Sequence, residues 1–217
     1  GKGEKERAGG LLKSALLANF LLSVIVTAIM TVVYFNIERM GQPVELISYI
    51  RPYFLVLLIS LVPVQLFYVF KQFTDSINKT SIGMWIIIFA NIFNIVGNYV
   101  LIYGKFGFPE WGLFGAGVAT TVSRFLMLFA YMIAVLFSRN YAEYRHGFAK
   151  EKLNKTDFRQ MNAMGWPWAF QMGTEAASFS LAAVMMGWIG SVALAAHQVL
   201  QTISQFCFLI YYGLGAA

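Results

Sequence analysis

Glu175 stands alone as a carboxylate inside an apolar stretch that runs from about Met164 to Trp188. The other nine acidic residues (Glu4, Glu6, Glu38, Glu45, Asp75, Glu110, Glu143, Glu151 and Asp157) fall outside the membrane-length segments or at their ends. A charge at bilayer depth is costly, so such residues usually bind an ion, relay a proton or hold a partner charge. Gln171 lies four positions earlier, on the same helical face. Pro167 sits near the start of the segment, where a missing N–H is tolerated. The plainer alternative for Glu175 is a structural ion pair with another helix, but ion chemistry is the favoured reading.

Further polar residues fall on stripes. Asn91, Asn94 and Asn98 follow i, i+3, i+7 spacing, which puts three carboxamides on one face. Such groups either bind helices together or line a wet cavity. Asn94 and Asn98 read as a cavity or ion site, and Asn91 as packing. Gln198, Gln201, Thr202 and Gln205 share a face of the last apolar segment and read as a hydrated wall. His197 projects about 100° away from that face and reads as packing. Asn19, Ser23, Thr27 and Thr31, each four apart, suit close helix contact. So do Gly115, Ala119 and Ser123 at small-xxx-small spacing, with Thr120 beside them. Arg124 lies about eleven residues into its segment, at mid-depth, and needs water or a partner. A charge in a water-filled cavity and a structural pair both stay open for it. Pro63 inside the second segment predicts a kink.

The elements that must position these residues are membrane helices. The chain of 217 residues is 59% hydrophobic and only 12% charged, about half the charge of a soluble domain. Twenty phenylalanines and ten methionines exceed what a soluble core of this size hides. The fold class is all-α, a polytopic membrane protein. Six stretches have the roughly 20 apolar residues that a transmembrane helix needs. They run from about Leu12 to Phe35, Pro52 to Phe70, Ile82 to Tyr103, Leu113 to Phe137, Asn162 to Trp188, and Val192 onward. Trp85, Tyr103, Trp111, Trp166 and Trp188 lie near span ends, as aromatic anchors do.

Charge orients the spans. Lys2, Lys5, Arg7 and Lys13 precede the first, Lys71 and Lys79 join the second to the third, and Arg139, Arg145, Lys150, Lys152, Lys155 and Arg159 lie in the stretch 139–160. These twelve share one side, against Arg39, Arg51 and Lys105 on the other. The positive-inside rule places the first group in the cytoplasm. The net charge of +6 is then a matter of topology, and no nucleic-acid partner is implied.

Soluble active-site motifs are absent: there is no P-loop, HExxH, CxxC or GxSxG. Two histidines and the lone Cys207 give a membrane enzyme little to work with, and no internal disulfide is possible. A scaffold subunit would not need Glu175 or the glutamine stripe. The chain opens on a charged segment rather than on methionine and ends in Gly213-Leu214-Gly215-Ala216-Ala217, so an internal piece of a longer protein is expected.

Three runs carry a resemblance. Asn94-Ile95-Val96-Gly97-Asn98-Tyr99, then Tyr103 through Glu110, then Gly115 through Thr120 resemble the fifth-to-sixth-helix signature of the multidrug and toxic compound extrusion (MATE) transporters. Pro167 and Glu175, followed by Leu194-Ala195-Ala196-His197-Gln198, are similar to that family's seventh-to-eighth-helix signature. Gly3 through Ala8 resembles its cytoplasmic link after the second helix.

The resemblance implies a twelve-helix fold of two six-helix lobes, of which this chain would supply helices three to eight. Residues 1–138 would belong to the N-lobe, 139–160 to the cytoplasmic inter-lobe loop and 161–217 to the C-lobe. It implies export of amphipathic, often cationic compounds against inward flow of Na⁺ or H⁺, with no cofactor beyond that ion. Glu175 would be the C-lobe cation ligand and a candidate Na⁺ ligand, and Asn94, Asn98 and Thr120 the N-lobe set. Some members carry aspartate at the position of Asn98, so the N-lobe charge would come from elsewhere. Gln171, Gln198, Gln201 and Gln205 would line the cargo cavity. The expected partners are membrane lipid and a small-molecule cargo, with the full-length protein a monomer in the inner (plasma) membrane. A lipid-linked oligosaccharide flippase of the same superfamily is the alternative.

Overall fold

A segment buried in lipid must pair its backbone groups internally, so long apolar runs become helices. The computed structural model describes residues 2–40, 44–138, 141–150 and 155–216. Its α-helices are α1 (Lys2–Phe35), α2 (Val44–Ile59), α3 (Leu61–Ser76), α4 (Thr80–Tyr103), α5 (Gly112–Phe137), α6 (Ala142–Lys150), α7 (Lys155–Ile189) and α8 (Ser191–Ala216). No strand occurs among the described residues.

Among the described residues, five helical segments are long and apolar enough to cross a membrane: Lys5–Phe35, Ile47–Ser76, Thr80–Tyr103, Gly112–Phe137 and Val192–Leu209. The count from sequence was six. The missing one is α7, which is long enough but does not reach the same apolarity. Gln171, Thr174, Glu175, Ser178 and Ser180 dilute it, and these include the residues that marked it as functional.

The second span is broken at Ser60, between α2 and α3. Pro63 has no N–H to give the Ile59 carbonyl, so the regular ladder fails here. The Ser60 N–H turns to the Leu57 carbonyl at 3.0 Å, a tighter 3₁₀ bond that leaves the Val56 carbonyl without its usual donor. Thr121 of α5 donates its hydroxyl to that carbonyl at 2.9 Å. The kink is thus stitched by a neighbouring helix, as a break at membrane depth must be.

The stretch 139–160, expected as a loop, holds α6 and the start of α7. Arg139 and Lys152, used above for orientation, lie outside the described residues. α6 is pressed onto the first turns of α1. A Cβ on Gly9 would strike the backbone of Tyr144, and one on Gly147 would strike that of Glu6. Ion pairs flank this crossing: Lys5 Nζ to Glu143 at 2.8 Å, and His146 Nδ1 and Lys150 Nζ to Glu6 at 3.4 and 3.7 Å.

The chain divides into two units, 1–158 and 159–217. In the first, Phe67, Leu128, Tyr131, Val135 and Tyr141 form a buried cluster. Tyr131 and Thr74 share a hydrogen bond of 3.0 Å inside it. Tyr141 lies beyond the spans, and burial pushes its hydroxyl above the usual tyrosine range. In the second unit, α7 and α8 meet at Gly190, whose φ of +146° suits glycine. The two helices do not pack along their lengths among the described residues.

Candidate functional site

The small-residue seam brings α4 and α5 together. A Cβ on Gly115 would lie 2.6 Å from the Leu101 carbonyl, and one on Gly97 would lie 3.2 Å from the Ala119 Cβ. Ala119 and Ser123 are buried on the same stripe, so the small side chains set the spacing the sequence suggested. At this contact the Asn94 amide donates to Thr120 Oγ1 at 3.4 Å, and the Asn98 amide donates to Asn94 Oδ1 at 3.1 Å. Thr120 in turn donates to the Ala116 carbonyl at 2.9 Å. The three predicted residues Asn94, Asn98 and Thr120 therefore form one chain of hydrogen bonds across two helices. Asn91 is exposed and stands outside it.

The chain ends on an acceptor. Asn98 Oδ1 is buried and has no hydrogen-bond partner. A carboxamide oxygen left unpaired inside a membrane helix carries a desolvation cost of about 1–3 kcal/mol. Oxygen atoms of this kind are what a hard cation takes as ligands. All three side chains are neutral, so the cluster by itself offers dipoles and no counter-charge.

Arg124 receives an answer that sequence could not give. Its Nη1 donates to Ser60 Oγ at 2.6 Å, and Ser60 passes its own proton to the Leu57 carbonyl at 2.7 Å. Ser60 is fully buried at the kink. The arginine therefore pairs with a neutral hydroxyl at the break between α2 and α3. It also borders a cavity of about 200 Å³ between Met30, Phe54, Leu57, Leu58 and Leu61. Of the two open readings, the pairing with Ser60 is the one that finds a partner, and the side chains that line the cavity besides Arg124 are apolar. Ser60 and Thr121 were the missed residues. Their signal was the proline three positions past Ser60, which announces a backbone in need of partners.

Three of the four polar residues of the α1 stripe bond within their own helix, and the fourth, Thr27, has a buried hydroxyl without a partner. Asn19, Ser23 and Thr31 donate to the carbonyls of Ala15, Phe20 and Thr27 at 3.0, 2.8 and 2.7 Å. That agrees with packing rather than a site.

In the second unit, Gln171 and Glu175 share one exposed face of α7. Among the described residues Glu175 makes no ion pair and no hydrogen bond, so no fixed basic side chain clasps it. Its surroundings on the helix are mixed: Phe170, Met172 and Phe179 are exposed there, and so are Gln171, Thr174 and Ser178. Gln198 and Gln205 are exposed on α8, and Gln201 is half-buried there. The structure does not join the α7 and α8 stripes into one lining. His197 Nε2 is buried without a partner. Among the described residues there is no cluster of three or more His, Cys, Asp or Glu side chains that could hold a metal.

Residues 1–100 match the family model MatE. Relatives extend the match to the rest of the chain. A probable multidrug resistance protein NorM of Photorhabdus laumondii is 28% identical over 95% of this chain and 45% of its own length. The multidrug resistance protein NorM of Vibrio cholerae is 27% identical over 100% of this chain and 48% of its own length. Residues 1–100 thus carry a MatE domain, and similarity to NorM proteins runs through the rest of the chain. A probable NorM of Bradyrhizobium diazoefficiens reaches 33% identity over 70% of this chain and 32% of its own. The chain thus spans about half the length of the curated relatives that match nearly all of it. The chain is a multi-pass membrane protein.

Proposed function

We propose that the protein is a cation-coupled antiporter that exports drugs or other amphipathic organic compounds by alternating access. The observation that carries this reading is Glu175, an ionisable side chain with no partner among the described residues, on a long helix that also exposes Phe170, Met172 and Phe179. A carboxylate in such a place is retained where an ion or proton visits it. Names of the relatives support the cargo class, since each is called a multidrug resistance protein.

The coupling ion is Na⁺ or H⁺. Glu175, helped by Gln171, binds it in the C-lobe, and Asn94, Asn98 and Thr120 form a second, weaker site in the N-lobe. Gln198, Gln201 and Gln205 line the path of the cargo. Antiport needs only that ion and cargo favour different states of the protein, and each then shifts the other's affinity by the same factor. The lobes divide at 139–160, which lies in the cytoplasm with the N-terminal segment, in the inner (plasma) membrane. The full-length protein acts as a monomer, with no nucleic-acid partner.

The test is dye efflux from vesicles holding the full-length protein, with a Na⁺ or H⁺ gradient imposed. Dye should leave faster under one of the two gradients than without any. Efflux indifferent to both gradients would reject antiport.

A further inference from the structure

A cleft of about 270 Å³ opens where α6 crosses the bundle. Its walls are Leu12 and Leu16 of α1, Phe70 of α3, and Met132 and Leu136 of α5. α6 adds Tyr144, Arg145 and Phe148. Arg145 is the one charged residue of the lining, and it is half-exposed. The other acidic and basic side chains of α6 have ion partners: Glu143 holds Lys5, and His146 and Lys150 hold Glu6. Arg145 has none among the described residues. Lys13 lies nearby, its Nζ 5.9 Å from the Phe148 ring centre.

The place of the cleft along the spans matters as much as its lining. Leu136 is one residue from the end of α5, Phe70 adjoins the Lys71–Asp75 ion pair, and Leu12 adjoins Lys13. The apolar walls therefore lie at the ends of three membrane helices. The arginine stands on a short helix beyond those ends. An apolar slot beneath a cationic group is the arrangement that fits an acyl chain below a phosphate.

We propose that this cleft holds one anionic phospholipid of the leaflet that α6 faces, with an acyl chain against Leu16, Phe70 and Leu136 and the phosphate on Arg145. Three features select this occupant. The volume lies below the ~300–1,000 Å³ of a pocket for a whole drug-sized molecule, so it takes part of a chain. The walls carry no acidic group to receive a cationic cargo, and Arg145 repels one. Basic side chains at a membrane surface draw lipids of net negative charge. The proposal names only the leaflet beside α6, so it stands apart from the orientation and from the transport cycle.

The experiment is native mass spectrometry of the full-length protein released from bilayers of equal phosphatidylglycerol and phosphatidylcholine with matched chains. Wild type should keep one phosphatidylglycerol through detergent washing. Arg145→Ala should lower that retention about fivefold, the size expected of one basic group at an anionic lipid surface. Arg145→Lys should keep most of it. Leu136→Trp fills the slot without touching the charge and should lower retention of both lipids. Because Arg145 is half-exposed and holds no acidic partner among the described residues, its variants should melt like wild type, which a thermal-shift scan verifies. Equal retention by wild type, Arg145→Ala and Leu136→Trp would overturn the proposal. So would a wild type that shows no preference between the two lipids.

Discussion

The α4–α5 seam and the α7–α8 pair carry the same kinds of polar residue and treat them differently. On α4 and α5, glycine and alanine let the backbones approach, and Asn94, Asn98 and Thr120 meet as one hydrogen-bonded chain with a single buried oxygen left over. On α7 and α8, Gln171, Glu175, Gln198 and Gln205 stay exposed, and the helices do not pack along their lengths. Small residues at four-residue spacing complete a polar cluster by bringing a second helix to it. Without such a stripe, a polar face waits for other surfaces. The seam is a neutral, largely satisfied site, whereas α7 offers a full charge with nothing beside it. Under the proposed antiport, Glu175 carries most of the ion coupling and Asn98 a lesser share.

That ranking can be broken by substitution in the full-length protein. The largest effect belongs to Glu175→Gln, which keeps the shape and removes the charge. It should cut gradient-driven dye efflux at least tenfold, about 1.4 kcal/mol or more of lost coupling, while membrane insertion stays intact. Normal efflux from that variant would make the α7 face no more important than the seam. Next comes the seam's own geometry. Gly115→Val would press a side chain onto the Leu101 carbonyl and should cost about 1–3 kcal/mol, read as a lower melting temperature in detergent. An unchanged melting temperature would mean that α4 and α5 are not held at this distance. Asn98→Ala should leave efflux working but shift its dependence on cation concentration by severalfold, since it removes a neutral ligand only. A complete loss of efflux would invert the ranking of the two regions. The smallest effect is expected at Thr121→Val, which withdraws the donor from the Val56 carbonyl at the kink. It should cost about 1 kcal/mol in thermal stability with transport retained.

Much of this was legible in sequence because membrane helices obey simple rules of length and face. The Asn94–Asn98 stripe, the Gly115–Ala119–Ser123 seam and the Pro63 kink all follow from spacing along one helix. What escaped depends on distance in the chain. Arg124 and Ser60 are 64 positions apart, and no local pattern pairs a guanidinium with one hydroxyl among many. Helix α6 escaped for another reason. Nine residues with mixed charge give too little periodicity to stand out, and its contact with α1 rests on Gly9 and Gly147, which signal a close crossing only once both are seen together. α7 was counted as an ordinary span, yet the polar groups that make it a candidate site also lower its apolarity below that of its neighbours.

The central claim is that ion and cargo compete through one carboxylate. Equilibrium dye binding to the purified full-length protein, followed as Na⁺ and pH are varied, addresses it directly in wild type and Glu175→Gln. Wild-type affinity should fall as the driving cation rises, and the variant's affinity should be flat. The same cation dependence in both proteins would contradict the account.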